Sequence, residues 1–81
     1  MKNIFASVMS GITDANIRFT DLRKLLLTLG FKERIKGDHH IYSRTGVIEI
    51  INIQLLFDGK AKPYQVKQIR NLIHKYKLNK D

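Results

Sequence analysis

Leu22, Leu25, Leu26 and Leu29 follow the i, i+3, i+4, i+7 spacing that places apolar side chains on one face of a helix. Thr20 is positioned to cap this helix, Asp21 suits its positive end, and Gly30 stops it. The period then changes. In "FKERIK", Phe31, Glu33 and Ile35 alternate with Lys32, Arg34 and Lys36, the two-residue repeat of a strand with one wet face. After a Gly37-Asp38 turn, "HHIYSR" alternates too, with His39, Ile41 and Ser43 on one side and His40, Tyr42 and Arg44 on the other. Thr45-Gly46 reads as a tight hairpin into the β-branched run "VIEIINI". A loop, "QLLFDGKAK", follows, its Leu-Leu-Phe read as packing over the sheet edge. Pro63 opens a last helix with Val66, Ile69, Ile73 and Tyr76 on its apolar face and Lys67, Arg70 and Lys77 on a cationic one. Upstream, Ile4, Phe5, Val8 and Met9 predict a short helix over residues 3–9, ended by "SGITDAN".

Helix, three antiparallel strands and helix make an α+β, α-β-β-β-α two-layer sandwich, with both helices on one face of the sheet and residues 1–19 as a short N-terminal helical extension. If Ile35 and Ile41 face the helices, Lys32, Arg34, Lys36, His40, Tyr42 and Arg44 share the open face, while His39 lies on the helix side or its margin. The chain has 81 residues, enough for one domain with a thin core. With no cysteine there is neither a disulfide framework nor a thiolate zinc site, which points to the cytoplasm. "MKNIFASVMS" is too short for a membrane span and a poor signal peptide, so no membrane association is expected. Charge then narrows the partner. The net charge is +8, with an excess of +2 over residues 1–30 and +6 over residues 31–81, so a polyanion such as RNA is expected to meet the second part.

"DLRKLLLTLGF", "KGDHHIY" and "KAKPYQVKQIRNLI" together resemble the HicA-type toxins of bacterial toxin–antitoxin pairs. The likeness covers about residues 20–78, within a toxin domain read as 20–81. It implies a double-stranded-RNA-binding-like fold, metal-independent endoribonuclease activity on mRNA, and a HicB-type antitoxin that covers the active face. The second histidine of the pair is the catalytic one in that family, which implies the role for His40. Asp38 departs from the serine usual there, and would either hold His40 protonated for longer or repel phosphate.

RNA carries its own nucleophile, the 2′-hydroxyl, so cleavage needs a group to take its proton, charge to steady the phosphorane, and an acid for the leaving oxygen. Histidine, with an ordinary pKa of about 6.5, suits both proton transfers. On the expected open face, Lys36 and Arg44 flank His40 and supply positive charge. Tyr42 either stacks on a base or is an ordinary cross-strand aromatic. Gly37, His39, Lys60, Lys62 and Lys67 complete the expected RNA contacts, the lysines with Arg70 forming a stripe near the last helix that reads backbone shape. A structural role for His39 and a solvated helix face are the competing readings. No cofactor is expected. Zinc would need three or four ligands, and beyond the pair only His74, Asp38 and nearby acids are present, without ligand spacing. Two rival functions remain: a non-catalytic RNA-binding module, and a protein-interaction domain whose positive face receives an acidic partner.

Overall fold

The computed structural model describes residues 3–78; residues 1–2 and 79–81, at the outer ends of the expected extension and toxin domain, lie outside the described residues. Helix α1 (Ile4–Ser10) and a 3₁₀ turn (Asp14–Asn16) precede helix α2 (Phe19–Thr28), strands β1 (Lys32–Lys36), β2 (His39–Arg44) and β3 (Val47–Gln54), and helix α3 (Pro63–Tyr76). The fold is α+β, with the α-β-β-β-α order expected and a three-stranded antiparallel sheet ordered β1-β2-β3.

Helix α2 begins two residues earlier than a Thr20 cap would place it. Arg18 occupies the N-cap without a side-chain cap bond, Phe19 is the first helical residue and is buried, and Thr20 lies exposed inside the first turn. The expected threonine cap is therefore absent, because the burial of Phe19 fixes the helix start. At the other end Gly30 takes φ 92°, the Phe31 amide donates to the Leu26 carbonyl, and the Gly30 amide donates to that of Leu27. This pair of bonds is the Schellman arrangement, and it turns the chain from α2 into β1. Helix α3 ends the same way around Lys77, at φ 53°, with Leu78 bonding back to Ile73.

A two-residue turn with Gly37 at φ 62° joins β1 to β2 and sets the register: Lys36 opposite His39, Ile35 opposite His40, Arg34 opposite Ile41, Glu33 opposite Tyr42. Residues directly opposite share a face. Ile35 and Ile41 therefore lie on opposite faces, and the sidedness built on their sharing one is overturned. The helix-facing side carries Glu33, Ile35, His40 and Tyr42, continued on β3 by Ile51 and Ile53. Lys32, Arg34 and Lys36 lie on the open face with His39, Ile41 and Ser43. Tyr42 is 0% exposed, at the centre of a core that joins Leu22, Leu25 and Leu26 of α2, Ile51 and Ile53 of β3, and Val66, Ile69 and Ile73 of α3.

Val8 and Ile17 of the N-terminal segment enter the same core. Arg70, expected on the cationic face of α3, turns inward instead: Nη1 donates to the Val8 carbonyl at 3.0 Å, and the guanidinium grips both carboxylate oxygens of Asp14 at 2.9 and 3.0 Å. One arginine thus ties α1 and the 3₁₀ turn to the last helix. The Leu-Leu-Phe loop does not cover the sheet edge as expected, since Phe57 is fully exposed and Leu55 is 44% exposed.

Candidate active site around His40

His40 lies near one end of the sheet, where four segments meet. The β1–β2 turn touches the start of the 55–62 loop through the Leu55 amide and the Asp38 carbonyl, 2.9 Å apart. The same loop reaches the start of α2, where the Phe19 amide donates to the Gly59 carbonyl. It then enters α3 at Lys62, whose backbone amide is capped by the Gln65 side chain.

Helix-side orientation puts the imidazole between an aromatic ring and a carboxylate. The Phe19 ring meets it edge-on, with centroids 4.7 Å apart and planes at 70°. Its Nδ1 lies 3.1 Å from Oε2 of Glu33, and its side chain is 12% exposed. Glu33 is the hub of the site. Arg23 donates to it twice, from Nε at 2.7 Å and Nη2 at 2.9 Å, and the Tyr42 hydroxyl donates at 2.6 Å. The Arg23 bonds, helped by those from Tyr42 and His40, outweigh desolvation and hold the Glu33 carboxyl at about 2, so it is a carboxylate at neutral pH. Burial, reinforced by the bond to Glu33, pushes the Tyr42 phenol well above its usual value, and hydrogen bonding to Glu33 raises the Arg23 guanidinium.

An ionised carboxylate facing Nδ1 favours the tautomer with its proton there and leaves Nε2 as the basic nitrogen. Among the described residues Nε2 has no hydrogen-bond partner, and no buried side-chain nitrogen lacks one, so Nε2 is not sealed from solvent. A hydrogen-bonded, fixed imidazole with one free nitrogen can accept and return a proton.

The residues expected around His40 separate. Tyr42 is fully buried and unable to stack on a base; its role is the bond to Glu33. Arg44 does not flank His40, because four residues of strand put it about 13 Å away along β2, where its side chain lies against Gly30. His39 points to the open face rather than to the helices, with Nδ1 3.1 Å from the Asn52 amide oxygen. Lys36 shares that face. Asp38 does not act on His40: it accepts from Gln54 at 3.2 Å, a bond that lowers its carboxyl pKa, and lies 3.7 Å from His39. Gly37 forms the turn, with open space where a Cβ would sit. Lys60 and Lys62 lie in the approach to α3, Lys60 bonded to Asn16 and Lys62 5.9 Å from the Tyr64 ring centroid. Lys67 is exposed on α3, whereas Arg70 is withdrawn from the stripe by Asp14.

Phe19, Arg23 and Glu33 were not expected in the site. Glu33 had left a signal, an acid on the alternating side of "FKERIK" that also carries Phe31 and Ile35. Among the described residues no group of three or more histidine or acidic side chains is gathered to hold a metal ion, and no helix is long and apolar enough to cross a membrane. Comparison with family models, with curated proteins and with solved structures found no match to the chain.

Proposed function

We propose that the protein is a metal-independent endoribonuclease of the toxin class, cleaving mRNA with His40 as general base and acid. The observation that carries this reading is the imidazole itself: Nδ1 held by the Glu33 carboxylate at 3.1 Å, with Nε2 free. In the reaction Nε2 takes the proton of a 2′-hydroxyl, whose oxygen attacks the adjacent phosphorus. The 5′-oxygen leaves, the imidazolium returns the proton to it, and a 2′,3′-cyclic phosphate remains. Glu33 stabilises the transient imidazolium, and proton transfer of this kind contributes roughly 10²–10⁴-fold.

Lys36, Lys60 and Lys62 are the phosphate contacts nearest this end of the sheet, joined by Gly37 in the turn between β1 and β2 and by His39, the first residue of β2. Lys67 extends the track along α3. The fully exposed Phe57 ring, on the loop between β3 and α3, supplies the stacking surface that Tyr42 does not. The helix–three-strand–helix order supports a double-stranded-RNA-binding-like fold, and the sequence likeness supports a HicB-type antitoxin that covers the His40 end. The cytoplasm, where mRNA is found, is the compartment of this reading.

Purified protein incubated with RNA is expected to give fragments ending in cyclic phosphate, and expression without an antitoxin to arrest growth. His40→Ala should lose both while its circular dichroism spectrum stays unchanged; an equally active variant refutes the assignment. A second reading, a non-catalytic RNA-binding module, is favoured by the 12% exposure of His40, which suits a structural member of the Glu33 network. It predicts RNA binding that weakens with salt and yields no fragments.

A further inference from the structure

The open face of the sheet has a different chemistry from the His40 end. Ile48 is 88% and Ile50 63% exposed on β3, and Ile41 beside them on β2 is half-buried. Next to this aliphatic row stands a cationic one, Lys32 and Arg34 of β1, both exposed. Among the described residues neither has a carboxylate partner, whereas Asp14, Glu33 and Glu49 are each paired with a cation elsewhere.

We propose that this face docks an acidic, aliphatic-rich segment of another protein. Each component of the face excludes an alternative. A second copy of the chain would bring isoleucines to this face but no carboxylate for Lys32 and Arg34, since its own open-face strand positions carry none and Asp38 in the adjoining turn is held by Gln54. RNA would satisfy the two cations but lay sugar and phosphate over three isoleucines, desolvating phosphate without return. A segment carrying carboxylates along one stripe and leucine or valine along the next satisfies both rows at once. Three strands about 4.8 Å apart and some 20 Å long offer about 300 Å² in projection, well below the ~800 Å² per partner of a standard stable interface. Binding is therefore weak and salt-dependent. Because the face is turned away from the imidazole, the segment leaves Nε2 of His40 uncovered, and docking here is independent of the ribonuclease reading.

The probe is a synthetic amphipathic peptide of about 16 residues, enough for four helical turns, with glutamates on one stripe and leucines on the other. A peptide of the same composition in scrambled order is the control. Titration into the full chain, followed by amide NMR shifts, should move Lys32–Arg34, Ile41 and Ile48–Ile50. Affinity should lie in the micromolar range and fall about tenfold as salt rises past the point where the screening length drops below about 5 Å. Arg34→Glu and the Ile48→Thr/Ile50→Thr double variant should each weaken binding at least about tenfold, threonine being chosen because it keeps β-propensity. Unchanged dispersion of the other amides checks the fold of each variant. Shifts confined to other residues, equal binding of the scrambled peptide, unaltered affinity in both variants, or displacement of the peptide from these amides by an RNA duplex would each overturn the proposal.

Discussion

Protonating Glu33 would weaken the acceptor that Arg23, His40 and Tyr42 share, so this single side chain links the chemistry to acid stability. Its carboxyl is held at about 2 in the fold, against an ordinary value of 4.5. A lowered carboxyl pKa stabilises the folded state fully above the unfolded value, and the contribution disappears as pH falls through 4.5 towards 2. Glu33→Gln removes the charge but keeps the shape. It is expected to cost about 1–3 kcal/mol at neutral pH, or roughly 4–8 °C of Tm per kcal/mol. Thermal melts of both proteins should converge as pH drops over that window, because the parent then loses what the variant never had. In the cleavage assay Glu33→Gln should lower kcat more than it raises KM and should shift the pH profile, since its neutral amide no longer stabilises the imidazolium. A parallel loss at every pH would mark Glu33 as structural alone. The residue was visible beforehand as an acid in phase with Phe31 and Ile35, but its partners required a register: with two turn residues, Lys36 meets His39, and counting outward Glu33 must meet Tyr42.

At the scale of elements, the chain's punctuation is informative but its faces are ambiguous. Both long helices follow from apolar spacing, and both end in the same pair of backbone bonds, one through Gly30 and the other through Lys77. A side chain at φ 53° costs roughly 1–2 kcal/mol relative to a right-handed conformation. Lys77→Gly is therefore expected to raise stability by about 0.5–1 kcal/mol, measured by urea denaturation with the slope unchanged. An unaltered midpoint would mean that the greater freedom of glycine in the unfolded chain cancels the relief. The start of α2 was less legible than its end, because Thr20 and Asp21 imitate a cap while Phe19, the true first residue, precedes the leucine repeat. Strand alternation was correct within each strand. It could not say which side of β2 was inward, since Ile41 and Tyr42 are both apolar enough to bury. The larger aromatic went inside because Glu33, held by Arg23, was there to accept from its hydroxyl.

For the whole molecule, the excess of positive charge is not spread as the sequence suggested. Arg23, Arg70 and Lys75 are engaged with Glu33, Asp14 and Glu49, whereas among the described residues Lys32, Arg34 and Lys36 on the open sheet face and Lys60 and Lys62 in the loop into α3 have no carboxylate partner. Arg70 also determines how much of the chain folds as one unit. Arg70→Ala would strip the partners from Asp14 and from the Val8 carbonyl, at a cost of about 1–3 kcal/mol. Hydrogen exchange should then accelerate first over residues 8–17; uniform acceleration would show that the N-terminal segment and the sheet unfold together. Nothing in the helical pattern distinguishes Arg70 from Lys67, because the pairing joins positions 56 residues apart. The Glu33 cluster carries an evolutionary consequence of its own. Arg23, His40 and Tyr42 share one acceptor, Glu33, so drift at Glu33 strands three partners and drift at any partner leaves the carboxylate short of a donor. Descendants of this chain should inherit the four as a set or replace them together with an oily plug, keeping the architecture while losing the polar centre.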